Sequence, residues 1–328
     1  MAALAPPVAA VRAGVRHAVA DLPPSSLVMV ACSGGTDSLA LAAAAAFVAP
    51  RRRLRCGLVT VDHQLQPGSA DRAEAVAKWA DGYGLDPVVV ARVAVGGRPG
   101  GPEAAARAAR YEALTDTARG LGAAAVLIGH TRDDQAETVL LALARGAGPR
   151  GLAAMPAARD LDGIALLRPL LQVGRADTVA ACAALGLSPW QDPHNTDPAY
   201  ARARLRGVFP ALVDALGPGL VTNLARSAGL AAADAEVLDE LAAAAARDAA
   251  DGDGGLIVAA LAELPPALRT RVLHRWARQL GVGGSALGAR HVDALDALVT
   301  RWHGQGAVAL PGALRVARRQ GRLTPVRG

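Results

Sequence analysis

Apolar residues at Val8, Val11, Val15 and Val19 recur at helical spacing, so the chain is expected to open with an amphipathic helix. A different pattern follows. Val28 to Ala31 is a continuous apolar run of strand length; Ser33, Gly34 and Gly35 then make a turn, and an alanine-rich helical run extends from Leu39 to Val48. Leu54 to Val61 reads as a second strand ending at Asp62 and His63, Ala70 to Tyr83 as a helix, and Pro87 to Val95 as a third strand buried on both faces. Glu103 to Arg119 is helical, Ala123 to Ile128 a fourth strand and Asp133 to Arg145 a further helix. Arg145 to Arg159 reads as a loop, Leu166 to Leu171 as a last short strand backed by a helix from Ala176 to Leu185, and Trp190 to Tyr200 as a polar turn region. Alternation of this kind predicts an α/β fold with a doubly wound, Rossmann-like parallel sheet, whose ligands bind beyond the carboxyl ends of the strands.

The second part of the chain is patterned differently. Gly219 to Ala250 is helical and very rich in alanine, Asp251 to Gly255 breaks it, and helices are expected over Ala267 to Leu280 and Arg290 to His303. Ala307 to Leu310 and Leu314 to Arg319 read as a hairpin-like end. The expected domains are therefore 1–215, the sheet domain, and 216–328, a mostly helical one.

Composition changes the picture in three respects. Of 328 residues 52% are hydrophobic but only 3% aromatic, so the core must be built from small side chains. Lys78 is the sole lysine among 35 basic residues, and arginine, which carries nearly all of the net charge of +6, reads phosphate with two N–H groups at once. Cys32, Cys56 and Cys182 are isolated, with neither a CxxC pair nor metal-ligand spacing, which points to a reducing, cytoplasmic compartment without disulfides. No stretch reads as a membrane span, and the histidines show no zinc-binding cluster.

The chemistry concentrates at the ends of the expected strands. A strand, then Ser33, Gly34, Gly35, Thr36, Asp37 and Ser38, then a helix N-terminus is a phosphate site, because close-approaching backbone, free amides and the positive helix end meet there. Asp37 beside such a cradle would repel the ligand unless a cation lay between them, so a Mg²⁺ ion is expected. A Walker loop is excluded, since no lysine follows the glycines. Gly146, Gly148 and Gly151 follow a helix, and are rejected as a dinucleotide fingerprint. Asp62 with His63, and Gly129 with His130, end two other strands and converge on the same crevice. Asp133, Asp134 and Glu137 lie three and four residues apart at a helix start; complementing a helix dipole would explain them in isolation, and facing the phosphate loop gives them a chemical role.

The Ser33 to Ser38 loop resembles the SGGxDS loop of the PP-loop ATP pyrophosphatases. SGGTDS, VDHQLQPGS, EAAARAARY and GHTRDDQAET occur in the order and spacing of the tRNA(Ile)-lysidine synthetases within that superfamily, with RPLL at Arg168 to Leu171. Trp190 to Tyr200 with Arg202, Arg204 and Arg206 resembles a later motif of that family, from which Gln66, His194 and Ala203 depart. The resemblance implies adenylation of the wobble cytidine in a CAU-anticodon tRNA(Ile), then ligation of L-lysine with loss of AMP. It implies ATP contacts at Ser33 to Ser38, Asp62, His63 and His130, and Mg²⁺ on Asp37, shared with Asp133. Lysine would be held by Asp134 and Glu137, and these with Asp37 form the expected catalytic set. Arg107, Arg110, Arg202, Arg204 and Arg206 are expected on tRNA, as are Arg269, Arg271, Arg275 and Arg278 along one late helix, with a homodimer left open. A tRNA thiolase is the competing reading, and it would need a cysteine placed to carry sulfur. An RNA-binding module with a decayed nucleotide fold is the non-enzymatic one; Asp37, Asp134 and Glu137, all retained, speak against decay.

Overall fold

The computed structural model describes residues 4–64, 68–94, 102–191, 199, 201–283 and 286–326, with backbone alone for 102–104. Helix α1 (Pro6–Ala18) starts on two prolines, which suit positions whose N–H groups have no intrahelical partner. Its Val8, Val11 and Val15, with Val19 beyond its end, are all buried. Then come β1 (Leu27–Ala31), α2 (Thr36–Arg51), β2 (Arg55–Asp62), α3 (Ser69–Gly82), β3 (Val88–Arg92), α4 (Pro102–Gly120), β4 (Ala125–Ile128) and α5 (Arg132–Ala144). The sheet region ends with α6 (Pro149–Leu152), β5 (Ala158–Leu161), β6 (Ile164–Leu167) and α7 (Arg175–Ala184), followed by α8 (Ala201–Leu216).

The six strands lie in the order β3-β2-β1-β4-β6-β5. All neighbours are parallel except β5, which pairs antiparallel with β6 as a hairpin at the edge. The sheet is thus parallel but for this strand, which sequence patterning reads as loop because Ala158, Arg159 and Asp160 are exposed and carry no apolar signal. The opposite edge, β3, is only half-buried along its length, so its apolar run reflects an edge position rather than the expected burial on both faces.

In β1 the continuous apolar run has a direct cause. Val28 and Val30 pack with α1, α2 and α7 on one face, while Leu27 and Met29 pack with Leu114 and Ala118 of α4 on the other. Ala40, Ala42, Ala44 and Ala45 of α2 are buried in the first cluster, where small side chains let α1 and α7 approach closely. Strand order reverses at β1, between β2 and β4, and the carboxyl ends of these strands form the crevice typical of such sheets.

The chain divides into compact units Met1–Leu230 and Ala231–Gly328, so the division falls within α9 (Leu220–Asp248) rather than at the expected 215. The second unit holds β7 (Leu256–Ile257), α10 (Val258–Ala262), α11 (Pro266–Gln279), α12 (Ala289–Thr300), β8 (Val308–Ala309), β9 (Arg315–Arg319) and β10 (Arg322–Val326). Its strands form an antiparallel sheet, β7-β10-β9-β8, in which the expected hairpin is the edge pair β8 and β9, extended by β10 and β7. Val272, Leu273, Trp276, Leu295, Leu298 and Leu323 are among the residues of its own core. Among the described residues no single helix is long and apolar enough to cross a membrane.

Candidate active site

β1 delivers the chain into a loop at Ser33, and α2 carries it away from Thr36. Gly34 has φ +80°, and a Cβ there would stand 2.8 Å from a methyl of Val76, so both conformation and space require glycine. Gly35 is the extended N-cap of α2, which leaves the first amides of the helix pointing into the crevice. Ser38 Oγ accepts from the Ser33 N–H at 3.2 Å and donates to the Gly35 carbonyl at 2.9 Å, so this hydroxyl staples the loop. The Trp190 N–H donates to the Gly34 carbonyl at 2.9 Å, and the Arg72 guanidinium stacks 3.3 Å over the Trp190 ring. At the end of β4 a Cβ on Gly129 would come within 3.1 Å of the Asp37 carbonyl, and its absence lets the end of β4 and the start of α2 meet.

Behind this loop lies a cluster of acids around two arginines. Thr131 caps α5, and its N–H and hydroxyl donate to Asp134 Oδ2 at 2.8 and 3.0 Å. Asp134 Oδ1 accepts from Arg175 at 2.9 Å and from Arg206 at 3.0 Å. A carboxylate offers about four lone-pair sites, so Asp134 is saturated. Glu137, 2% exposed, accepts from Arg175 and Arg206 on Oε1 at 3.2 and 2.7 Å and from Arg206 on Oε2 at 3.1 Å, and among the described residues no other group donates to Oε2. Arg175 Nε also lies 3.6 Å from Asp37 Oδ2, while the Thr178 hydroxyl donates to Asp37 Oδ1. Asp133 is turned aside: its Oδ2 accepts from the Arg175 N–H at 2.7 Å.

Burial sets the electrostatics, and the arginines then decide them. Burial raises the Asp37 carboxyl, with Thr178 and Arg175 opposing. Burial would raise Asp134 as well, but Arg175, the Thr131 N–H, His130 and Arg206 bring it below the ordinary carboxylate range. Arg175 is held charged: burial lowers it, and Asp134, Glu137, Asp37 and Asp133 more than reverse this.

Around His130 positive charge dominates. Arg110 is lowered by burial and by Arg107, and among the described residues no acid pairs with it. Burial lowers His130 to about 3, with Arg168, Arg110 and Arg107 acting the same way and Asp134 against them.

These groups surround a cleft of about 920 Å³, lined by Ser33, Gly35, Thr36, Asp37, Ser38, Asp62, His63, Arg110, His130 and Arg206 among the expected residues. Arg72, Arg175 and Trp190 also line it, and sequence reasoning did not assign them. For Arg175 a signal existed, since a cation in the first turn opposes the helix dipole and needs acids nearby. Asp62 is buried and accepts from the Gln64 N–H at 3.0 Å, so it shapes the loop after β2. Asp133, Asp134 and Glu137 stand behind Arg175 and Arg206 rather than on the cleft wall.

The five arginines expected on RNA are dispersed. Arg206 turns to the acids, Arg202 donates to the Thr138 hydroxyl at 3.2 Å, Arg204 is exposed, Arg107 is exposed against Tyr111, and Arg110 lines the cleft. A spacing of two residues on a helix, about 200° of turn, forbids a common face for Arg202, Arg204 and Arg206. Gln66, Asp192, His194 and the rest of 192–198, with the Glu103 side chain, lie outside the described residues.

Among the described residues no three His, Cys, Asp or Glu side chains are grouped as a metal cage. The donor set fits Mg²⁺ in the other common way, one carboxylate plus ligand phosphates: Asp37 lies on the cleft wall in the first turn of α2, beside the phosphate loop.

A profile described as PP-loop domain matches residues 9–212, and one described as TilS substrate binding domain matches 256–324. A tRNA(Ile)-lysidine synthase of Salinispora tropica is 68% identical over 99% of this chain and 98% of its own length. That of Thermobifida fusca is 56% identical over 97% of both chains. Among solved structures a U34-tRNA thiolase from Methanococcus maripaludis aligns over 68% of this chain and 77% of its own, with a TM-score of 0.57 at 17% identity, a likeness of fold alone. With a PP-loop domain across the cleft and near-full-length relatives well above half identical, the chain belongs to the tRNA(Ile)-lysidine synthase family.

Proposed function

We infer that the protein is a ligase that modifies tRNA(Ile): it adenylates the wobble cytidine of the CAU anticodon with ATP, then joins L-lysine to carbon 2 and releases AMP. The observation that carries this reading is the juxtaposition of a phosphate loop with a carboxylate cluster only one arginine away, Arg175 touching both Asp37 and Glu137. The amides of the Ser33 to Ser38 loop and the start of α2 bind the ATP phosphates. Asp37 would hold Mg²⁺, which when bound offsets charge gathering at the α-phosphate. Arg110, half-buried near His130, supplies positive charge for phosphate of ATP or RNA.

Lysine brings an ammonium that must lose a proton before it attacks. Glu137 suits that task better than Asp134, because Asp134 has no acceptor capacity left, whereas among the described residues Glu137 has some on Oε2. A sulfur-transfer reaction is disfavoured by the cysteines. All three are buried, and burial pushes the thiols up, Cys56 to about 12 and Cys182 to about 11, far from the thiolate such chemistry uses. The relevant test is incubation with ATP, lysine and CAU-anticodon tRNA followed by nucleoside analysis. Lysidine is expected; its absence with intact ATP rejects the reading. Glu137→Gln should still release pyrophosphate and accumulate adenylated tRNA. Loss of pyrophosphate release with a normal lysine requirement would move Glu137 to the ATP half-reaction.

A further inference from the structure

Arg168 follows β6 at the carboxyl edge of the sheet and is 5% exposed. Its N–H groups are directed at three different segments. Nη1 donates to the Pro156 carbonyl at 2.7 Å, Nε donates to His130 Nδ1 at 3.3 Å, and a further hydrogen bond reaches Tyr111 on α4. The contact with His130 is the informative one. A guanidinium has donors and no acceptor, so the imidazole nitrogen facing it must be the unprotonated one. A neutral histidine carries its proton on the other nitrogen, here Nε2.

We propose that Arg168 is a positioning residue that fixes His130 in the neutral Nε2–H form, so that His130 meets the bound nucleotide as a hydrogen-bond donor to phosphate oxygen rather than as a proton acceptor. The proposal rests on the functional reading above for the identity of the ligand, while the tautomer rests on the Arg168 contact alone. The ring lines the cleft whose floor is the phosphate loop, and with its Nδ1 edge on Arg168 the Nε2 edge is left for the ligand. The charged groups facing His130 are Arg168 after β6, Arg110 and Arg107 on α4, and Asp134 on α5. Three cations against one acid disfavour a further positive charge, and burial acts in the same direction. A neutral donor of this kind stabilises developing charge without a proton changing hands, which leaves proton removal from the amine to the carboxylates of α5.

The proposal is tested first by nitrogen-15 NMR on the full chain labelled at histidine, with the His130 signals identified by their loss in His130→Gln. Between pH 5 and 8 the wild-type ring should stay neutral with Nδ1 bare and Nε2 protonated; a proton on Nδ1, or a titration inside that window, overturns the proposal. In Arg168→Met the fixed tautomer should give way to a mixture and the midpoint should rise, whereas Arg168→Lys, which keeps a donor, should preserve Nε2–H. An unchanged tautomer in Arg168→Met overturns the role of Arg168, and should that variant fail to fold, the wild-type and lysine measurements still decide. The kinetic arm compares His130→Gln, whose amide can place a donor near Nε2, with His130→Leu, which has none. Pyrophosphate release should fall about 10²–10³-fold in the leucine variant and at least tenfold less in the glutamine variant. Equal losses in both overturn the donor role. Wild-type protein that consumes no ATP with tRNA would reject the functional reading instead, with the NMR result standing apart from it.

Discussion

Asp37 occupies the first turn of α2 with Thr178 and Arg175 on its two carboxylate oxygens, so its charge is both wanted by the helix and partly compensated. Replacing it by asparagine keeps the shape and removes the charge. Asp37→Asn should lower pyrophosphate release by two or more orders of magnitude while tRNA affinity, read by filter binding, hardly changes; parental release rates would remove Asp37 from the reaction. His130 makes a second, independent statement at this scale. Its folded value of about 3 lies below the unfolded value of about 6.5, so relative to the protonated chain its contribution to stability is complete above about pH 6.5. That contribution is lost as pH falls from there towards 3. Denaturation midpoints of the wild type should fall over this interval, and His130→Gln should flatten the upper part of the fall, where ordinary carboxylates do not titrate.

At the scale of elements, the loop between β1 and α2 shows what a sequence can and cannot tell. Gly34→Ala should cost about 1–2 kcal/mol from the left-handed backbone alone, with more from the Val76 methyl, and ATP affinity should fall further than stability does. Denaturant titration and nucleotide binding on the same variant separate the two effects. This loop was legible because its signals are local: an apolar strand, two glycines, an acid and an alanine-rich helix in unbroken order. The thread from Asp133 to Glu137 was legible for the same reason, down to the helix it starts. Arg175 offered only the hint of a cation in a helix's first turn, since its partners Asp37, Asp134 and Glu137 belong to two helices far from it in the chain. The β5 edge hairpin escaped because an exposed polar strand has no alternation to read, and its existence depends on β6 offering an edge. Arg202, Arg204 and Arg206 look equivalent in a run of sequence, and only the turn of α8 sends Arg206 to the acids while leaving Arg204 in solvent.

At the scale of the whole molecule the question is how an arginine-rich chain divides its cations between folding and RNA. Four arginines of α11, expected to line one RNA-binding face, divide in this way. Arg269 is buried, with Nε 2.6 Å from Asp296 and Nη1 on the Leu264 carbonyl at 2.8 Å, and Arg271 pairs with Asp239 at 3.2 Å. Arg275 and Arg278 are exposed, as are Arg315 and Arg319 on β9 of the same unit, whereas Arg322 on β10 stands 3.8 Å from the buried carboxylate of Asp251. Phosphate contacts release counterions, so an arginine that meets RNA contributes to the slope of log affinity against log salt, and one that serves the fold does not. Changing Arg315 and Arg319 together to glutamine should therefore weaken tRNA binding and reduce that slope by about 0.7 to 0.9 for each phosphate no longer neutralised, with the melting temperature nearly unchanged. Arg269→Met should do the reverse: it strands Asp296 and the Leu264 carbonyl, lowers stability by about 3 kcal/mol or more, and leaves the slope of the folded fraction as it was. Should the double variant keep the wild-type slope, RNA does not lie along β9, and the exposed pair on α11 becomes the surface to change next.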